Sequence, residues 1–198
     1  MTAPTVVVVP TGTANLASVR AAFERLGRRV ELAAEPAVIE AAEHVLLPGV
    51  GAFGAAMATL RESGAHTALE RRIAADAPTM AICVGHQLLF ATSDESPGVR
   101  GLAVVDAHIG RFPEGVRRPQ FGWNEITPEG EARFLRPGFA YFANGYRAIE
   151  APGWTVATAE HGGRFVASME RGRIVGCQFH PELSGDYGKA LLEAWLSC

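Results

Sequence analysis

Apolar residues follow two rhythms along this chain. In the first half, short runs that are apolar at every position alternate with stretches in which apolar residues return every three or four. Residues 5–9 form a β-branched run closed by Pro10, as expected of a strand buried on both faces. A turn is expected over 11–15. Leu16, Val19, Ala22, Phe23 and Leu26 then keep helical spacing until Gly27. The alternation continues with a strand at 30–32, a weak helix after Pro36 and a strand at 44–47. Helices follow at 53–61 and 67–75, a strand at 79–82 and a helix at 86–91. Strand and helix in turn predict an α/β fold with a central, mostly parallel sheet flanked by helices.

From Gly101 the rhythm shortens. Apolar segments at 102–105, 123–126, 141–143, 155–159, 165–168 and 173–179 are separated by Gly and Pro. They predict extra antiparallel strands, with tight turns at His161-Gly162-Gly163 and Arg171-Gly172. A helix over 187–196 ends the chain. No repeat or linker interrupts the pattern, so residues 1–198 are expected to form one domain.

A net charge of −3 argues against a nucleic-acid binder. The apolar runs fall short of a membrane span, and the N-terminus lacks the layout of a signal peptide. The three cysteines, Cys83, Cys177 and Cys198, are an odd number without metal-ligand spacing. They predict free thiols and a cytoplasmic location, with neither metal nor cofactor expected.

Cys83 lies between the apolar strand 79–82 and a helical stretch, with Gly85 close behind. Strand, sharp turn, nucleophile and helix make a nucleophile elbow. By itself Cys83 reads equally well as a small buried hydrophobe. A thiol nucleophile needs a base, and the base an orienting group. His180-Pro181-Glu182 closes a strand and offers both. Cys177, in mid-strand, and Cys198, at the end, read as structural.

The segments Ala81-Ile82-Cys83-Val84-Gly85-His86-Gln87 and Gln178-Phe179-His180-Pro181-Glu182 resemble the class I, or triad, glutamine amidotransferases, whose fold is flavodoxin-like. Within them, Leu47-Pro48-Gly49-Val50-Gly51-Ala52-Phe53-Gly54, Phe121-Gly122-Trp123-Asn124 and Phe179 to Gly185 resemble the branch of glutaminase subunits in imidazole glycerol phosphate synthases, and Asn15 and Pro97 to Leu102 also fit. The resemblance implies glutamine hydrolysis by Cys83, His180 and Glu182. It implies oxyanion donors at Val50 and Val84. Gly51, Gln87, Glu95, Asn144, Gly145 and Tyr146 would contact glutamine. Asn15, Trp123 and Tyr141 would face a (β/α)8-barrel cyclase, which takes the ammonia in histidine biosynthesis. A solvated loop carboxylate is an almost equal reading of Glu95.

Four positions depart from the family's usual spelling. Ala81 stands where Gly is common, Gln120 and Asn144 where His is common, and Leu183 where Lys is common. The Gly85-His86-Gln87 spelling is commoner in the anthranilate and GMP branches. The anthranilate or aminodeoxychorismate synthase subunits are therefore the nearest rival, and Phe121 to Asn124 argues against them. Cysteine peptidases and γ-glutamyl hydrolases on related folds also pair Cys with His, but are disfavoured by the Pro48 to Gly51 turn together with His180-Pro181-Glu182.

Overall fold

A computed structural model describes residues 4–12 and 15–198; Thr13 and Ala14, in the turn expected over 11–15, lie outside the described residues. The strands are β1 (Thr5–Val8), β2 (Arg29–Leu32), β3 (His44–Leu47), β4 (Thr79–Ile82), β5 (Phe90–Ser93), β6 (Val105–Arg111), β7 (Gln120–Pro128), β8 (Gly138–Asn144), β9 (Tyr146–Ala148), β10 (Thr155–Glu160), β11 (Arg164–Arg171) and β12 (Ile174–Cys177). The helices are α1 (Leu16–Arg25), α2 (Pro36–Ala41), α3 (Phe53–Glu62), α4 (Ala65–Ala74), α5 (Val84–Leu88) and α6 (Gly185–Leu196), with a 3-10 turn at Pro181–Leu183.

One nine-stranded sheet runs in the order β2-β1-β3-β4-β12-β11-β10-β7-β8. Its first five strands are mutually parallel, and the four from β11 to β8 continue it antiparallel. The antiparallel strands thus extend the parallel sheet. A smaller sheet, β5-β6-β9, stands apart.

The centre of the parallel part is buried as its sequence demands, while β2 at the edge is mostly exposed. Val6 and Val8 are fully buried in β1, and all four residues of both β3 and β4 are buried. α1 begins where the Asn15 side chain accepts a hydrogen bond from the Ser18 N–H, and it ends before Gly27, whose φ of 69° suits glycine. Its Phe23 meets Trp195 of α6 edge to face at 6.4 Å, which ties first helix to last. Burying a ring such as Phe23 contributes about 1.5–3 kcal/mol.

Two expected elements differ. The helix expected over 86–91 stops at Leu88, and Phe90–Ser93 is a strand paired in parallel with β6. Leu88, Leu89 and Phe90 are all fully buried, so the sequence there has no period to tell helix from strand. The strand expected over 102–105 begins only at Val105 and runs to Arg111, with partly exposed positions through its length.

Candidate active site

β4 and β12 are neighbours in register, with Ile82 opposite Cys177. The residues that follow them therefore emerge side by side. Cys83 follows β4, and its N–H donates to the Cys177 carbonyl at 2.7 Å. The chain turns sharply there: Cys83 has φ 55°, a conformation that costs a residue with a Cβ about 1–3 kcal/mol. The turn needs Gly85, because a Cβ there would lie 1.9 Å from the Leu47 carbonyl oxygen. Ala81 is fully buried, and the elbow forms with its methyl in place.

His180 leaves β12 on the same side. Its Nδ1 lies 2.8 Å from Glu182 Oε1, and both side chains are buried. The loop is pinned to β8: the His180 N–H donates to the Tyr141 carbonyl at 2.9 Å. Ser184 Oγ donates to the His180 carbonyl and accepts from the Tyr141 N–H. Burial opposes the imidazolium charge of His180. Hydrogen bonds to Cys83 and Glu182, and their negative charge, outweigh it and push the imidazole up to about 10. Burial, with Glu182 and Glu170 nearby, pushes the Cys177 thiol up instead, as suits a structural cysteine.

Above Cys83 and His180 opens a cleft of about 210 Å³. Val50 and Gly51 border it on one side, and Val84 and Gln87 on another. Glu95, Asn144, Gly145 and Tyr146 close it. Every residue expected at the nucleophile, its base, the oxyanion site or the glutamine contacts lines this one cleft, except Glu182, which stands behind His180. Glu95 Oε2 accepts from the Phe53 N–H at 2.6 Å, so its carboxylate is anchored at the start of α3. The Val84 N–H is engaged: it donates to the Gly49 carbonyl at 3.2 Å.

Residues 8–196 match the family described as Glutamine amidotransferase class-I. The chain belongs to this family. Among amidotransferase relatives, the Imidazole glycerol phosphate synthase subunit HisH of Moorella thermoacetica is 38% identical, over 95% of this chain and 92% of that protein. The HisH subunit of Symbiobacterium thermophilum is 36% identical over 96% and 92%. The chloroplastic Imidazole glycerol phosphate synthase hisHF of Arabidopsis thaliana is 37% identical over 93% of this chain, which is 33% of its own length. Among solved structures, one titled glutamine amidotransferase superposes with a TM-score of 0.75 at 21% identity, covering 96% of this chain and 98% of that one. PurLQS from Thermotoga maritima gives 0.76 at 16% identity, covering 98% of each. These two show the same fold.

The amidotransferase fold also places the residues expected at an interface. Trp123 and Tyr141 are opposite each other on β7 and β8, with rings 6.2 Å apart. Trp123 is 58% exposed. Exposed Phe121 and Phe139 share that face, and Leu183 is also exposed. Asn15 is exposed as the cap of α1. Gln120 and Asn144, two of the departures, are a register pair between β7 and β8, both buried.

Sequence reasoning missed two residues of this amidotransferase site. Ser184 ties the His180 loop to β8, and Gln178 Nε2 lies 3.9 Å from Cys83 Sγ. Gln178 stands inside the motif that revealed His180, and that adjacency was the available signal. Among the described residues no group of three His, Cys, Asp or Glu is placed to hold a metal, and no helix is long and apolar enough to cross a membrane.

Proposed function

We propose that this chain is the glutaminase subunit of an imidazole glycerol phosphate synthase. It hydrolyses glutamine to glutamate and ammonia, and it passes the ammonia to a (β/α)8-barrel cyclase. The observation that carries the chemistry is the Cys83–His180–Glu182 arrangement at the floor of a cleft sized for a small amino acid. The likeness to the HisH subunits supports the branch.

The Cys83 sulfur attacks the side-chain amide carbon of glutamine, and His180 gives its proton to the departing ammonia. The product is a thioester on Cys83. Water then attacks it, with His180 taking the proton, and glutamate leaves as the sulfur–carbon bond breaks. Glu182 holds the imidazole through Nδ1 and balances its charge.

The oxyanion of each tetrahedral intermediate needs N–H donors, each worth about 3 kcal/mol of barrier. Val84 supplies one only once Gly49 releases it. The Gly49 carbonyl and the Val50 N–H belong to one peptide unit. A single rotation of that peptide frees the Val84 donor and swings the Val50 N–H round. Contact with the cyclase and its nucleotide ligand drives this rotation.

The test is ammonia release measured for the chain alone, with the barrel subunit, and with barrel subunit plus nucleotide ligand. The expected result is a rise of at least about 100-fold, mostly in kcat, because a donor pointing away forfeits transition-state stabilisation. A lone chain as fast as the full complex overturns the rotation, and failure of the pair to associate overturns the branch.

A further inference from the structure

We infer that Gln178 is a positioning residue of this site: its amide holds the Cys83 sulfur and, through Gln87, sets which atom of that side chain faces the cleft. The inference rests on the glutaminase reading above and adds a residue to it.

Gln178 is fully buried at the mouth of β12, fixed by its N–H to the Ala167 carbonyl at 2.8 Å. Its Nε2 lies 3.9 Å from Cys83 Sγ, and its Oε1 accepts from Gln87 Nε2 at 2.9 Å. Gln87 Nε2 also reaches the Tyr146 carbonyl at 3.4 Å. Sulfur, amide, amide and carbonyl thus form one chain across the floor of the cleft.

The direction of that chain is forced by its ends. A cysteine sulfur and a backbone carbonyl both accept hydrogen bonds. The carbonyl of Tyr146 requires the NH2 end of Gln87, and the Gln87 NH2 then requires the oxygen of Gln178. The remaining end of Gln178 is its NH2, which points at the sulfur. Turned round, Gln87 would set oxygen against oxygen at Tyr146. The Gln87 oxygen is thereby left for the cleft, where it accepts from a donor on the substrate.

Two near-isosteric variants separate the two halves of this role. Gln178→Glu keeps an acceptor for Gln87 but sets a carboxylate beside the sulfur. Gln178→Met removes both donor and acceptor while filling the same space. The pH profile of Cys83 alkylation by iodoacetamide reads the sulfur directly, with the Cys83 peptide resolved by mass spectrometry. Steady-state glutaminase kinetics with the barrel subunit present read Gln87.

In Gln178→Glu the pH of half-maximal alkylation is expected to rise by at least about one unit, with kcat falling and KM held. In Gln178→Met, KM for glutamine is expected to rise about tenfold. A second substitution, Gln87→Met, should then add little, because the two residues act as a unit. Thermal unfolding monitors the fold, and the neutral variant keeps the test alive if the charged one does not fold. An unmoved alkylation profile in Gln178→Glu, or an unmoved KM in Gln178→Met, overturns the inference. A wild-type complex without glutaminase activity overturns the proposed function instead, since alkylation is measured without turnover.

Discussion

Among single residues, His86 has the simplest physical consequence. It is fully buried behind the elbow, its ring 5.3 Å from that of Phe90, and neither ring nitrogen has a hydrogen-bond partner among the described residues. Burial lowers its pKa to about 3. The unfolded chain therefore binds a proton at His86 between about pH 6.5 and 3 that the folded chain refuses. Stability must fall with acidification across that window. His44, buried against Trp195, is lowered in the same direction, by burial first. His180 works at the other end. Its raised value gives stability that is complete below about pH 6.5 and lost as pH climbs towards 10. Thermal melts from pH 7 to 4 should show Tm falling, and His86→Leu should flatten the curve without abolishing it, since His44 remains. A variant as acid-sensitive as the wild type would contradict the buried neutral ring. For the nucleophile, Cys83→Ala is expected to abolish ammonia release and leave the fold intact, with Tm unchanged or slightly lower, because alanine keeps a Cβ at φ 55° and removes a partner of His180. Cys177→Ala should retain activity.

At the scale of elements, the elbow and the last helix each depend on one close approach. A Cβ at Gly85 would lie 1.9 Å from the Leu47 carbonyl, and one at Gly188 would lie 1.9 Å from the Pro181 carbonyl. Neither neighbour is a side chain that can swing aside. Gly85→Ala and Gly188→Ala should each cost about 3 kcal/mol, read as a Tm lower by roughly 10 °C. Gly145→Ala, with open space around its Cβ, should leave Tm in place. The elbow was legible in the sequence because glycine spacing and an apolar strand carry their own geometry. The central parallel strands were legible for the same reason, since burial on both faces writes a nearly unbroken apolar run, whereas β2, at the exposed sheet edge, carries Arg29 and Glu31. The small sheet was not. β5 begins at Phe90, the last residue of the buried stretch that carries α5, and then runs through half-buried and exposed positions, and β6 mixes exposed and buried positions. Neither pattern has a period that separates strand from helix. In the site, most of the residues that line the cleft were given by motif or resemblance, Ala143 being an exception. Ser184 and Gln178 were not, because their roles depend on which strand lies next door.

For the whole molecule, the exposed face of β7 and β8 is the conspicuous feature. Phe121, Trp123 and Phe139 are each more than half exposed, close together on one surface. An apolar cluster of this kind, gathered on one exposed face, suits a protein partner. Trp123→Ser or Phe139→Asp should weaken association with the proposed barrel subunit more than tenfold while leaving Tm unchanged, as measured by sedimentation or calorimetry. Wild-type affinity in both would move the interface elsewhere. The reach from this face to the chemistry is short. Tyr141, opposite Trp123, accepts the His180 N–H and donates to Ser184.

The bond between the Val84 N–H and the Gly49 carbonyl bears on the cell as well as on the reaction. If the proposed function holds, a subunit synthesised ahead of its partner, or left over after assembly, keeps the proposed Val84 donor engaged. Surplus copies would then leave the glutamine pool intact. Overproducing this chain alone should leave intracellular glutamine at its ordinary level, whereas a Gly49 or Val50 variant that breaks the bond should drain it.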